Sequence, residues 1–389
     1  MRRLHAGTLP ALLLIIIISM GAAAQTRADL PPETIKKIED LISAEMARQS
    51  IPGISVAVAV DNRIRYANGF GMADLENSIP TRATTVYRTA SIAKAMTAVA
   101  VMKLVEQGRL DLDAPIQKYC AAFPEKQWPV TARHLLGHMG GIRHYKSSEE
   151  SNGTRHYFTI ADSLALFKDE PLLHEPGTKY QYTTYGYSVL GCAIEGASGQ
   201  TYEEFMRAQV FEPAAMHQSG IDNFRLIIPN RARGYTRVDE ATYSQLPEAA
   251  KRIAKVGGIY NATLHDTSMK IPGGGLVSTS VDLLKFAIAV NTSALVKQGS
   301  LERMWTGQKS RDGKDTGYGL GWGIGDISGL KALNHSGGQA GTSTMLVLLP
   351  EKGVAVALMS NLNGVGLWTL AQQIATTLLS PNNTVTSDK

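Results

Sequence analysis

The stretch Arg88 to Gly108, "RTASIAKAMTAVAVMKLVEQG", decides how the chain is read. Its length and apolar content predict a helix buried on nearly every side, with Ile92, Met96, Val99, Val101 and Val105 spread around it and Gly108 as its C-cap. Yet its first turn carries Ser91 and Lys94. Residues i and i+3 share a helix face, so a hydroxyl and an amine meet there. A serine hydroxyl needs a base to become a nucleophile, and a lysine serves as that base only when burial or a neighbouring cation keeps it neutral. The helix N-terminus also favours developing negative charge. A serine cap with a solvent-seeking lysine would explain the pair alone; the remaining segments give it chemical meaning.

Working outward, "PPETIKKIEDLISAEMARQS" places Ile35, Ile38, Leu41, Ile42 and Met46 on one helical face. "GISVAVAV" and "RIRYANGF" flank Asp61-Asn62 and predict a hairpin. Between residues 109 and 272 helical patterns dominate, in "RHLLGHM", "IADSLALFKD", "YGYSVLGCAIEGASG" and "TYEEFMRAQVFE". Residues 236–269 read as an irregular excursion. "STSVDLLKFAIAV" opens with Thr279 and Asp282 as a variant capping box. Strands return in "YGLGWGI", "TSTMLVLLP" and "GVAVALMSN", and "GLWTLAQQIATTLL" closes the domain as a helix, followed by a frayed tail. The fold class is α/β (α+β). Residues 30–108 and 273–380 build an antiparallel sheet flanked by helices, and 109–272 form a helical lobe. A cleft between them is the natural place for a site.

Residues 1–24 have the grammar of a secretory signal: Arg2 and Arg3, the apolar run "LPALLLIIIISMG", then "AAAQ". A periplasmic or secreted location follows, with membrane contact only through an uncleaved signal. The 389 residues carry a formal charge of +5 without basic clusters, which argues against nucleic acid. Cys120 and Cys192 are the only cysteines; the helical context of Cys192 predicts two free thiols. His134 and His138 stand at i, i+4, but Leu135 occupies the position where a zinc protease needs glutamate, so no metal is assigned.

Two further segments join the Ser–Lys pair. "KYQYTTYGYSVLG" supplies tyrosines that can relay a proton. "NHSGGQAGTSTMLVLLP" sets His335, Ser336, Gly337 and Gly338 ahead of a strand, where a backbone edge can hold a substrate amide. In this order and spacing the three segments resemble the serine β-lactamase-like superfamily, which contains class C β-lactamases, penicillin-binding DD-peptidases and related esterases. The resemblance spans about Ile35 to Leu379. "GGIRHY", "YTTYGYSVLG", "NRARGY" and "MLVLLPE" look most like its animal mitochondrial β-lactamase-like branch, regarded as peptidases. It implies a β-lactamase/transpeptidase-like fold, with Ser91 as nucleophile, Lys94 as base and Tyr182 as relay phenol. Thr184, His335, Ser336, Gly337 and Gly338 would bind substrate, and no cofactor is required. Thr184 replaces the usual asparagine and His335 the usual lysine. A histidine is mostly neutral at pH 7, which weakens the case for β-lactam hydrolysis. The expected substrate is a small molecule or peptide, cell-wall peptides included. Peptide or D-amino-acid amides rank first, carboxylesters second and β-lactams third; a slowly acylating sensor or scaffold is the reading from another class. The sequence does not fix an oligomeric state.

Overall fold

The computed structural model describes residues 29–380; the proposed signal and the tail beyond Ser380 lie outside them. Helix α1 (Pro32–Gln49) leads into β1 (Gly53–Val60), β2 (Arg63–Asp74) and a short β3 (Ile79–Pro80). After α2 (Ala93–Glu106), α3 (Tyr185–Ser198) and α4 (Ser280–Asn291) come β4 (Gly323–Ile327), β5 (Leu330–Gln339), β6 (Thr342–Leu349) and β7 (Val354–Ser360), then α5 (Trp368–Leu378). The strands form one seven-stranded sheet in the order β3-β2-β1-β7-β6-β5-β4. Every neighbouring pair is antiparallel. Its two halves meet where β1 pairs with β7, from Ile54 opposite Ser360 to Ala59 opposite Ala355.

The β1–β2 hairpin turns at Asp61 and Asn62, both with positive φ (52° and 56°), the backbone a two-residue type I′ turn requires. All of β1 is buried because the sheet is covered on both faces. Ile54, Val56, Val58 and Val60 share a core with Ile38 and Ile42 of α1 and Leu370 and Ile374 of α5. Ala57 and Ala59 face the second, larger core, which includes α2 and α4. Ser55 on that face bonds Ser280 at the start of α4 at 2.7 Å. The large-small alternation "ISVAVAV" thus assigns each face its helices.

Helix α2 is buried along almost its whole length, as its lack of a polar face predicts. It ends where Gly108 turns left-handed (φ 68°) and the Arg109 N–H reaches the Leu104 carbonyl at 2.9 Å. Several elements are shorter than the sequence suggests. "RHLLGHM" keeps helix only over Ala132–Leu136, and "IADSLALFKD" only over Ile160–Leu164. "TYEEFMRAQVFE" runs from an α-helix at Tyr202–Met206 into a wider π-turn at Arg207–Phe211. The strand expected at Tyr318 starts at Gly323, because Gly319 donates to the Trp322 carbonyl (2.8 Å) within a local turn. Residues 236–269 hold more order than expected: Tyr235–Arg237 pairs with Ile259–Asn261, and two short helices lie between. Thr279 caps α4 by accepting from the Asp282 N–H, but the box is half complete. The Asp282 carboxylate instead accepts from the Gln218 N–H at 2.7 Å.

The expectation of free thiols is overturned. Cys120 and Cys192 form a disulfide with Cα atoms 5.3 Å apart. Cys192 does sit in the buried helix α3, but Cys120 reaches it from the turn after Tyr119, a proximity that helical periodicity cannot report. Bridging a 72-residue separation removes denatured-chain entropy worth about 4 kcal/mol by loop-closure arithmetic. Cys120→Ser/Cys192→Ser is expected to lower urea-unfolding stability by about 2–4 kcal/mol, and dithiothreitol should destabilise the parent protein but not this variant. An unfolding midpoint indifferent to the reductant would show that the bridge carries no stability.

Candidate active site

Ser91 sits in a 3₁₀ turn, Ala90–Ile92, that runs directly into α2. Ala90 has φ +46°, a strained value for a residue with a Cβ, costing on the order of 1–3 kcal/mol. The surroundings hold it there. The Thr89 N–H donates to the Leu276 carbonyl (2.9 Å), and the Thr344 hydroxyl donates to the Thr89 carbonyl (2.9 Å). Gly337 completes the clamp: a Cβ there would lie 2.5 Å from the Thr89 carbonyl oxygen and 2.3 Å from the Thr344 hydroxyl. The sheet therefore presses β5 against the turn that displays Ser91.

Lys94 is completely buried. Its Nζ lies 3.1 Å from Ser91 Oγ, 3.2 Å from Thr184 Oγ1 and 2.7 Å from the Gly273 carbonyl oxygen. None of these partners is a carboxylate. Burial, reinforced by the positive charge of Lys270, holds the amine well below its ordinary 10.5. A neutral amine has two N–H donors and one lone pair. Gly273 and Thr184 accept the two donors, which leaves the lone pair for the Ser91 hydroxyl. That arrangement is one in which Lys94 can act as a base.

Tyr182 borders both cavities beside Ser91. Its ring packs against His138 (4.2 Å between centroids), and Lys94 Nζ stands 4.8 Å from its centre. Burial pushes the phenol above its ordinary 10, so it stays protonated and can donate. Tyr180 lines the same crevice farther out, and the Tyr185 ring stacks on Phe167 instead. His138 lies behind Tyr182 and accepts from the Thr183 N–H at 3.2 Å. Among the described residues, no group of three or more His, Cys, Asp or Glu is placed to hold a metal ion.

The structure brings Ser91, Lys94, Tyr182 and Thr184 together, and re-sorts the residues assigned to substrate binding. Thr184 is buried, bonded to Lys94 and, through its side chain, to Tyr145; it orients the base. His335 is buried on β5. Its Nδ1 is 2.7 Å from the Ser336 carbonyl oxygen, so it donates there, and its Nε2 accepts from the Tyr318 hydroxyl at 2.8 Å. Burial, then Lys94, pulls it down to about 3, so it is uncharged at neutral pH. Gly337 packs inward against Thr89 and Thr344 and borders neither of the two cavities at Ser91. Ser336 and Gly338, on the opposite face of the strand, are exposed to the crevice.

Two cavities meet at Ser91. One, about 360 Å³, is walled by Tyr180, Tyr182, Tyr318, His335 and Ser336. The other, about 150 Å³, is walled by His144, Tyr145, Thr184, Lys270, Gly274 and Gln339. Gly338 and Tyr182 border both. His144, Tyr145, Lys270 and Tyr318 were not singled out from the sequence. "GGIRHY" carries the resemblance and "YGLGWGI" reads as a strand, but nothing in their spacing places these side chains beside Ser91. A larger cavity of about 540 Å³ opens nearby around Arg88, Arg231 and Arg233. Its arginines are paired with Asp222 and Glu76.

An antiparallel sheet between helical layers, with the serine–lysine–tyrosine cluster at its edge, defines a protein of the β-lactamase and penicillin-binding class. The Beta-lactamase family model matches residues 38–374, and the chain belongs to that family. It is similar to the human protein "Serine beta-lactamase-like protein LACTB, mitochondrial", with 29% identity over 88% of this chain and 79% of that one. It is also similar to "Penicillin-binding protein 4*" of Bacillus subtilis, at 28% identity over 79% of this chain and 67% of that one. Among solved structures, the octameric penicillin-binding protein homologue from Pyrococcus abyssi superposes with a TM-score of 0.74 at 29% identity. That match covers 89% of this chain and 77% of the other. Fold and family thus agree with the resemblance read from the sequence.

With Lys94 acting as a neutral base, reaction of Ser91 with a fluorophosphonate should rise with pH and level off well below pH 10.5. Lys94→Met should slow it on the order of 10²–10⁴-fold. Stability has its own sign. Between the depressed folded value and 10.5 the unfolded chain binds the extra proton, so stability falls as pH drops through that window. The methionine variant should lose this component. A labelling limb centred at 10.5 or above would show that Lys94 is charged in the resting protein.

Proposed function

We propose that this chain is an exported serine hydrolase that works through a Ser91 acyl-enzyme, with peptide or D-amino-acid amide bonds as its first substrates. One observation carries the reading: a fully buried amine, held well below its ordinary titration range, 3.1 Å from a serine hydroxyl that a buried phenol borders. Ser91 Oγ attacks the scissile carbonyl and its proton passes to Lys94. The backbone N–H groups of Ser91 and Gly338 stabilise the oxyanion. As the carbon–nitrogen bond breaks, Tyr182 gives its proton to the departing amine, and Lys94 returns one to Tyr182. Water then attacks the acyl-enzyme with proton transfer in reverse, releasing the acid and restoring Ser91.

The Cys120–Cys192 bridge supports export, because such bonds persist in oxidising compartments. The uncharged state of His335 supports placing β-lactams behind amides and esters, since no permanent cation stands at that strand position. Cell-wall peptides suit a periplasmic hydrolase of this family.

Purified protein and Ser91→Ala should be compared on D-amino-acid amides, p-nitrophenyl esters and nitrocefin. Hydrolysis by the parent and loss of at least roughly 10³-fold in the variant are expected. A Ser91→Ala protein with full activity would remove the mechanism. Fluorescent penicillin followed over time separates turnover from a sensing role: labelling that appears and clears fits an enzyme, and a persistent adduct fits a sensor.

A further inference from the structure

We propose that Lys270 receives a carboxylate on the acyl part of the substrate, so that the site favours short acyl groups ending in a carboxylate. This deepens the acyl-enzyme reading above and rests on it. Lys270 is 4% exposed and shares the smaller cavity with Ser91. Its ammonium can donate three hydrogen bonds. Among the described residues it makes one, to the Ser151 carbonyl oxygen at 2.7 Å.

No acidic side chain lines that cavity. Asp266 attracts Lys270 through space, but its own oxygens are engaged by His156 Nδ1 (2.7 Å) and the Ser268 N–H (2.6 Å). The arginine-lined cavity nearby differs, because Asp222 and Glu76 already answer its charges. Lys270 is therefore a desolvated cation facing a substrate-sized space with no protein anion to meet it. Burial and Arg88 draw it down to about 7, a cost that an arriving carboxylate relieves.

The two cavities that meet at Ser91 divide the substrate between them. The leaving group is assigned to the larger one, beside Ser336, His335 and Tyr318. The acyl group then occupies the smaller one, with Gln339 and Gly274 on its walls and Lys270 in it. A cavity of about 150 Å³ fits a short chain. A succinyl- or glutaryl-type acyl group matches the length and the charge.

The test uses p-nitrophenyl hydrogen glutarate and its carboxamide isostere, which share leaving group and length. The parent protein should prefer the carboxylate in kcat/KM by roughly tenfold or more, mainly through KM. In Lys270→Met the ratio should fall towards one. A parent ratio of one or less overturns the proposal whether or not the variant folds. An unchanged ratio with both substrates slowed equally also overturns it, because Lys270 would then act on Lys94 alone. Binding of glutarate to Ser91→Ala, by calorimetry, reads the carboxylate site without turnover. Adding Lys270→Met should weaken it at least roughly tenfold, and equal or undetectable binding in both overturns the proposal. Labelling of Ser91 by a neutral fluorophosphonate reports the acyl-enzyme reading separately, so the two can fail independently.

Discussion

A lysine buried without a carboxylate is the constraint on which the site depends. Placing a charged ammonium in the interior costs several kcal/mol even after relaxation, and burial holds Lys94 well below its ordinary 10.5. The apolar sequence of α2, which looks like ordinary core, thus sets the protonation state of the base. Two acceptors fix the direction of its lone pair. The Gly273 carbonyl comes from the segment leading to α4, and the Thr184 hydroxyl from the residue before α3. Elements almost a hundred residues apart on either side of the central region must meet α2 for one amine to point at one hydroxyl. Misplacing either would leave a buried N–H unanswered and the lone pair turned away from Ser91.

Presentation of the serine depends on a second constraint, the left-handed Ala90. A strained residue persists only when its neighbours over-determine it. Here β5 and β6 supply the determination, through Gly337 and Thr344, and Leu276 closes the other side. The pairing of β1 with β7 is what brings these C-terminal strands into the same sheet as the N-terminal hairpin. Sheet register is therefore part of the site: a one-residue slip of β5 would turn Gly337 outward and drive a larger neighbour into the Thr89 carbonyl.

Much of this was legible in the sequence. The alternation in β1, the Asp61-Asn62 turn, the all-round apolar α2 and the Ser91-x-x-Lys94 spacing each carry a local physical signature, and each appears where it was read. The β5 cluster shows what spacing omits. A motif gives position, whereas orientation follows the two-residue period of a strand. Ser336 and Gly338 are exposed while His335 and Gly337 are buried, with His335 still bordering the larger cavity, a split in exposure that alternation alone could have supplied. The disulfide and Lys270 had no local signature. Cys120 meets Cys192, and Lys270 reaches the Ser91 cavity, only through tertiary packing. The same packing makes Thr184 a partner of Lys94 as well as a wall of the smaller cavity.

These placements redistribute the charge of the site. The resemblance puts a lysine on the strand where this chain has His335, and that histidine is buried, bonded at both nitrogens and uncharged. The cation next to Lys94 enters instead from residue 270, on the opposite side of Ser91. One like charge is useful to the base, since repulsion adds to burial in keeping Lys94 neutral. A second, at residue 335, would press on the same amine and crowd the wall formed with Tyr318. Moving the charge across the nucleophile preserves the electrostatic support of Lys94. Family membership and charge placement thus come apart here: sheet, serine, lysine and phenol match the resemblance, while the second ammonium stands on the other side of Ser91.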